Sequence, residues 1–280
     1  MTGPGPQPSA LVTGAGRGIG LALTRHLSER GWTVHATARS AEDLRALGAL
    51  PHVHPVRLDV TDRAAVAGLR DQLPASLDAV VNNAGIIVQG PVETVPLDDL
   101  ARQLDVNVTS QVGVVQAVLP LLRESRGRIV FMSSVSGRVT LPGTGAYSAS
   151  KYALESVADA LRVELRPWGI PVSLIEPGPT RTDMWGGALD DHDRMTASMS
   201  AEHRELYAAH LAGTRALQGR TQKCVGDPAR VVRAVEKALT ARHPRARYRC
   251  DNASRVQLAL AALAPTTVFD AVLASATTRS

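Results

Sequence analysis

An aliphatic strand candidate, Ser9–Thr13, runs into Gly14-Ala-Gly-Arg-Gly-Ile-Gly20 and from there straight into a helical pattern. Few folds accommodate such a junction. The glycines let the backbone turn sharply and approach a pyrophosphate, while the helix start supplies N–H groups and partial positive charge. A glycine-rich turn alone says little, and its flanks decide. Between a buried strand and an amphipathic helix it is a dinucleotide site, with Gly14, Gly18, Ile19 and Gly20 against the phosphates.

The same alternation continues along the chain. Further strand candidates are Thr33–Ala38, Val53–Leu58, Asp78–Asn82, Arg128–Ser133 and Pro171–Glu176. Helical patterns lie between them at Gly18–Arg30, Ala41–Leu47, Arg63–Leu73, Leu97–Arg123 and Ala146–Arg166. Strand–helix alternation implies parallel strands and right-handed crossovers, hence an α/β fold with a doubly wound parallel sheet of Rossmann type. Hydrophobic residues make up 44% of the 280 but aromatics only 3%. The core must therefore be built from Ala, Val, Leu and Ile, as suits buried parallel strands. With no repeat and no internal linker, residues 9–250 read as one catalytic domain. A Pro/Gly-rich tail, 1–8, precedes it, and a helical extension, 251–280, follows.

Several function classes fall away. The first residues lack a basic region followed by an apolar stretch, and no apolar run approaches the ~20 residues of a membrane span. Cys224 and Cys250 fit neither a metal nor a disulfide spacing, which points to a reducing compartment and a cytoplasmic protein. The net charge of +5 and pI near 9.7 raise nucleic acid as a partner. Only His243–Arg249 forms a basic cluster, however, and a solvated surface accounts for it better. His192 among Asp190, Asp191 and Asp193 suggests a metal, but consecutive residues in a polar loop rarely converge, so none is expected.

Ligands on such sheets bind at the carboxyl ends of the strands. The second strand ends without the acid that would hold a ribose 2′-hydroxyl, and Arg39 follows at once. A guanidinium suits a 2′-phosphate, and Arg17 in the glycine turn can reach the same group. This selects NADP(H) over NAD(H), unless both arginines are ordinary surface residues. After the third strand Asp59 can accept from an adenine amino group while Val60 packs on the ring, or Asp59 simply caps the helix near Asp62. After the fourth, Asn82-Asn83-Ala84-Gly85 is a small-residue turn where a nucleoside can pass close to backbone.

The reacting end carries Tyr147-Ser-Ala-Ser-Lys151. A phenol and an ammonium four residues apart share a helix face. Tyrosine titrates near ~10 in water, and a nearby cation pulls it toward the working range. Ser133 and Ser134 end the fifth strand close to the start of that helix. Asn107 interrupts a long helical pattern where asparagine is a mediocre helix former. It either points at solvent or kinks the helix and holds a water that passes protons to Lys151.

Together these pieces resemble the short-chain dehydrogenase/reductase family in its single-domain branch, closest in feel to hydroxysteroid and retinol dehydrogenases. TGAGRGIG, DVTD, NNAG, the Asn107 segment, Ser134, YSASK and Pro177-Gly178-Pro-Thr-Arg-Thr182 occur in family order across residues 9 to 182. The resemblance implies that Tyr147 is the acid/base and that Lys151 lowers its pKa and contacts the nicotinamide ribose. Ser134 would orient the substrate oxygen, Asn107 would anchor a relay water, and Pro177, Gly178 and Thr182 would line the nicotinamide and its phosphates. It further implies a homodimer or homotetramer formed through the two long helices, and residues 183–226 as a mobile segment over the substrate. There Met184, Trp185, Met195, Met199 and Tyr207 would give an adaptable apolar face, or else only pack as helices.

The expected function is NADP(H)-dependent interconversion of a ketone or aldehyde and an alcohol on a lipophilic small molecule. Two other readings share the fold: a redox-inactive NADP-binding sensor or scaffold, and a non-redox biosynthetic enzyme. The apolar pieces after Asp251, split by Pro265, would cover the pocket, form a subunit contact or touch a membrane surface.

Overall fold

The computed structural model describes residues 7–181, 187–222 and 225–278; Thr182, Met184, Trp185 and Cys224 lie outside them. Strand β1 (Ser9–Val12) leads through the glycine turn into α1 (Gly18–Glu29), and β2 (Thr33–Ala38) into α2 (Ala41–Gly48). Then come β3 (Val53–Arg57), α3 (Arg63–Ala67), β4 (Ala79–Asn82), α4 (Leu97–Leu104) and α5 (Ser110–Ser125). Strand β5 (Arg128–Met132), α6 (Gly145–Glu164) and β6 (Val172–Glu176) complete the expected series. The helix foreseen over 63–73 is shorter, because Gly68 ends α3 and a separate 3-10 turn covers Arg70–Gln72.

The sheet is parallel throughout, in the order β3-β2-β1-β4-β5-β6-β7. Chain order reverses between β1 and β4, which opens a crevice at their carboxyl ends. Although the strands are apolar on both faces, their period of two still sorts them. Val12, Val81, Val130 and Met132 face α1 and α10 (Pro228–Thr240), where Leu23, Leu27, Val231 and Val235 cover them. Leu11, Val80, Ile129 and Phe131 face α5 and α6, against Val114, Val118 and Leu154. Each such fully buried side chain contributes about 2 kcal/mol of transfer free energy.

Two stretches differ from the sequence expectation. The segment around His192, expected as a polar loop, forms α7 (Ala188–Ser198), and the helical pattern that follows it, over Glu202–Leu217, forms α8 (Ala201–Leu206) and α9 (Ala208–Gln222). The last strand that the sequence suggests at Ala246–Cys250 is present as β7 (Arg247–Arg249), but its Arg247 side chain, expected on a solvated basic surface, is only 23% exposed. It turns inward because Glu155, Asp159 and Glu176 lie beneath it. Helices α11 (Asn252–Leu263) and α12 (Thr266–Thr278) end the chain. Among the described residues no helix is long and apolar enough to cross a membrane.

Candidate active site

The turn between β1 and α1 is stapled to its neighbours. Thr13 Oγ1 accepts from the N–H groups of Asn83 (3.0 Å) and Ala84 (3.1 Å). Asn83 Nδ2 donates back to the carbonyls of Thr13 (3.0 Å) and Gly14 (3.1 Å). Gly14 adopts a φ of +64°, which side chains disfavour. A Cβ on Gly20 would run into the Gly14 carbonyl oxygen. No side chain caps α1, since the Arg17 side chain makes no hydrogen bond there. Its first N–H groups are thus left for an anion at the mouth of the turn. That cradle fits the pyrophosphate of a dinucleotide.

Asp59 and Arg39 meet at the ends of β3 and β2, 3.7 Å apart and both well exposed. Asp59 accepts from the Thr61 N–H and hydroxyl, which with Arg39 hold its carboxyl below the usual range. Asp62, not Asp59, caps α3 by accepting from Ala64 and Ala65, so Asp59 has no capping task. Val60 is buried beside it, while Arg17 is exposed. Asp43 was not anticipated as a neighbour of the turn. A Cβ on Gly16 would fall 2.6 Å from the Asp43 carboxyl carbon, so an acid stands at this end of the crevice after all.

At the reacting end, Tyr147 lies two residues into α6, with Ser134 within hydrogen-bonding reach of its phenol. Ser134 Oγ accepts from the Ser136 N–H at 3.1 Å, which leaves its own hydrogen free to donate. Lys151 Nζ is buried, donates to the Met132 carbonyl at 2.7 Å and stands 5.7 Å from the centre of the Tyr147 ring. The expected downward pull on the phenol does not dominate here. Burial pushes Tyr147 up to about 12, opposed by the Ser134 hydrogen bond, and pushes Lys151 down to about 8, opposed by the charge of Glu155. Desolvation dominates at both because neither group keeps its water.

Asn107 does not point at solvent. It is fully buried in a π-helical turn, Asp105–Thr109, that divides the expected long helix into α4 and α5. Its Oδ1 accepts from Ile86 N (2.9 Å), and its Nδ2 donates to Ile86 O (3.0 Å) and Ser150 Oγ (3.1 Å). Ser150 in turn donates to the Tyr147 carbonyl at 2.6 Å. Gln103 and Gln111, four residues to either side and also buried, continue the pattern. Gln103 bonds Val88 N (2.6 Å) and Ile86 O (2.8 Å), and Gln111 donates to Ala84 O (3.0 Å). Three amides thus hold the loop after β4. Their spacing of four along one helical stretch is a signal that the sequence carries.

A family model described as short chain dehydrogenase matches residues 8–193. The chain belongs to that family. It is 35% identical over 286 residues to retinol dehydrogenase 5 of Homo sapiens, a match spanning 96% of this chain and 89% of the relative. It is 34% identical to the uncharacterized oxidoreductase YusZ of Bacillus subtilis, over 94% of this chain and 96% of that one. A solved short-chain dehydrogenase from Streptomyces avermitilis superposes with a TM-score of 0.78 at 30% identity, covering 97% of this chain and 95% of that chain. Another, from Burkholderia cenocepacia in complex with NADP, gives 0.75 at 26% identity over 95% and 97%. As a short chain dehydrogenase, the protein is an oxidoreductase of a family that binds a nicotinamide cofactor.

The segment after β6 lies beneath the C-terminal extension of this short chain dehydrogenase. Pro177 accepts from Val135 N at 3.1 Å, and a Cβ on Gly178 would meet Ser254 Oγ at 2.6 Å and Asp251 Oδ2 at 2.9 Å. A cavity of about 290 Å³ lies between the loops at Gln89–Glu93 and Pro142–Gly143 and helices α7 to α9. Met195 and Tyr207 line it, with Pro91, Val92 and Leu211; Met199 is buried away from its wall. Tyr207 donates to Glu93 (2.6 Å) and Gln218 to Gln89 (2.8 Å), tying the helices to the loop. His192 is buried in α7, with Nε2 3.2 Å from Thr214 Oγ1.

Proposed function

We propose that this short chain dehydrogenase is an NADP(H)-dependent enzyme that interconverts a ketone or aldehyde and an alcohol on a lipophilic small molecule, steroid-, retinoid-, terpenoid- or polyketide-like. The observation that carries the reading is the convergence of Ser134, Tyr147 and Lys151 at the carboxyl edge of β5.

A substrate oxygen placed between Ser134 and Tyr147 receives the free Ser134 hydrogen and is polarised by it. A bound nicotinamide would supply hydride exchange with the substrate carbon and, in its oxidised form, a positive charge. At neutral pH the Tyr147 phenol carries its proton and is loaded to give it to a carbonyl oxygen. The Lys151 ammonium offsets the phenolate left behind. In alcohol oxidation the proton runs the other way. Both side-chain donors of Asn107 are taken, so a relay water toward Lys151 has the main chain of the π turn to rest on.

The glycine cradle would hold the pyrophosphate, Val60 and Asp59 the adenine end, and Pro177 and Gly178 the nicotinamide side. Thr182, outside the described residues, is assigned with them from the motif. Arg39, with Arg17, would take the 2′-phosphate, leaving Asp59 to do so. The NADP complex of the Burkholderia relative supports this choice, while Asp43 beside Gly16 opposes it. The largely apolar cavity and the retinol dehydrogenase relatives support a lipophilic substrate. Pairing through α4–α5 and α6 into a dimer or tetramer completes the reading.

The decisive test is a panel of ketones and secondary alcohols, from steroid-sized to small aliphatic, followed at the NADPH absorbance band. Tyr147→Phe is expected to lose turnover by at least about a thousandfold while binding NADPH as before. Substantial residual turnover would overturn the assignment. Arg39→Asp is expected to weaken NADPH about tenfold or more relative to NADH, and equal effects on the two would refute the phosphate contact.

A further inference from the structure

Behind the Tyr147–Lys151 pair lies a second group of charges for which the proposed reaction gives no role. Glu155 is buried one turn beyond Lys151 on α6. Its Oε1 accepts from Ser133 Oγ at 2.5 Å and its Oε2 from Arg247 Nε at 2.8 Å. Arg247 also reaches Asp159 (2.7 Å) and stands 3.5 Å from Glu176. Lys151 bonds Met132 while Glu155 bonds Ser133, so two adjacent residues of one strand end are clamped to two turns of one helix. Ser134 follows directly. Gly137 closes the site from above: a Cβ there would come within 3.1 Å of Glu155 Cγ and 3.0 Å of Ser133 Oγ.

We propose that Glu155 is a positioning residue, its carboxylate anchored by Arg247 and Ser133 so that it serves as the fixed counter-charge of Lys151 and braces Ser134 against α6. The inference rests on Tyr147 and Lys151 acting as described above. A buried ammonium without a nearby anion releases its proton readily, and a neutral Lys151 cannot stabilise a Tyr147 phenolate. Glu155 is the group whose charge acts against that release. The charges facing it are Lys151 and Asp159 on α6, Glu176 on β6, and Arg247 on β7. Arg249, Arg138 and the Cys250 thiol face Glu176 in turn. Glu176 is a poor substitute for Glu155. It is wholly buried, neither carboxylate oxygen has a hydrogen-bond partner among the described residues, and burial with the Glu155 charge raises its pKa.

The chain has three lysines, Lys151, Lys223 and Lys237, so side-chain NMR of lysine-labelled protein follows Lys151 directly, with Lys151→Met for assignment. In Glu155→Gln, Lys151 is expected to lose its proton about one pH unit lower than in the parent. Glu155→Asp should restore most of the difference, and Asp159→Asn should leave Lys151 where it was. Because Glu155→Gln can turn an amide donor toward Arg247, the double variant Glu155→Gln/Arg247→Gln guards against misfolding and is expected to show the same shift. An unchanged Lys151 titration in the folded single or double variant overturns the proposal, as does an equal shift in Asp159→Asn. Turnover plays no part in this measurement. A chain inactive on every carbonyl would refute the reaction and leave the Lys151 result standing.

Discussion

A single histidine shows how burial rewrites a side chain that the sequence leaves ordinary. His35 lies in β2, buried and stacked on exposed His54 with ring centres 5.3 Å apart. Burial, with a smaller contribution from His54, pushes it down to about 4. The unfolded chain binds that proton near 6.5, so between these values the unfolded state holds more protons and stability rises with pH. Acidification from pH 7 to pH 5 is therefore expected to remove about 2 kcal/mol at this residue. Urea midpoints at the two pH values should show the loss, and His35→Phe should largely abolish it. The residues proposed for the reacting site behave alike. Tyr147, Lys151 and Ser134 were legible as a set because their types and order are local to β5 and α6. Their proton affinities were not, because desolvation depends on everything packed around them.

At the level of elements, the stretch from Leu97 to Ser125 is instructive. Its apolar periodicity reads as one continuous helix, yet the chain passes through a π turn at Asp105–Thr109. π turns of this kind collect at functional sites. Here the reason is a set of partners rather than a propensity: Gln103, Asn107 and Gln111 all reach the backbone of Ala84 to Val88. Gln103→Leu would leave the Val88 N–H without its partner and take one of two donors from the Ile86 carbonyl, which keeps Asn107. It is expected to cost about 2 kcal/mol in chemical denaturation, and to raise the KM for the carbonyl more than that for NADPH. An unchanged denaturation midpoint would show that the loop is held by other means. The glycine turn is the opposite case. Its place between β1 and α1 follows from neighbours in sequence, although Asn83 and Ala84 staple it from afar.

Over the whole molecule, the C-terminal extension covers the helices that border the cavity. A Cβ on Gly213 of α9 would collide with the Thr277 carbonyl of α12, so these two helices touch backbone to backbone. Gly213→Ala is expected to push α12 away, lower the melting temperature by several degrees and raise the carbonyl KM, with NADPH binding unchanged. A variant with parental melting and kinetics would show that α12 does not support the cavity. The run of strands and helices along the chain, the glycine turn and the residues proposed for the site, Asn107, Ser134, Tyr147 and Lys151, could all be picked out from the chain, because periodicity and motif spacing are properties of neighbouring residues. Arg247 could not: read as part of a surface basic cluster, it clamps Glu155 from 92 residues away. Asp43 beside the glycine turn and the cavity between loops and α7–α9 were equally out of reach. Partners so far apart in sequence are chosen by burial and charge only after the sheet has closed, and no local pattern records that choice.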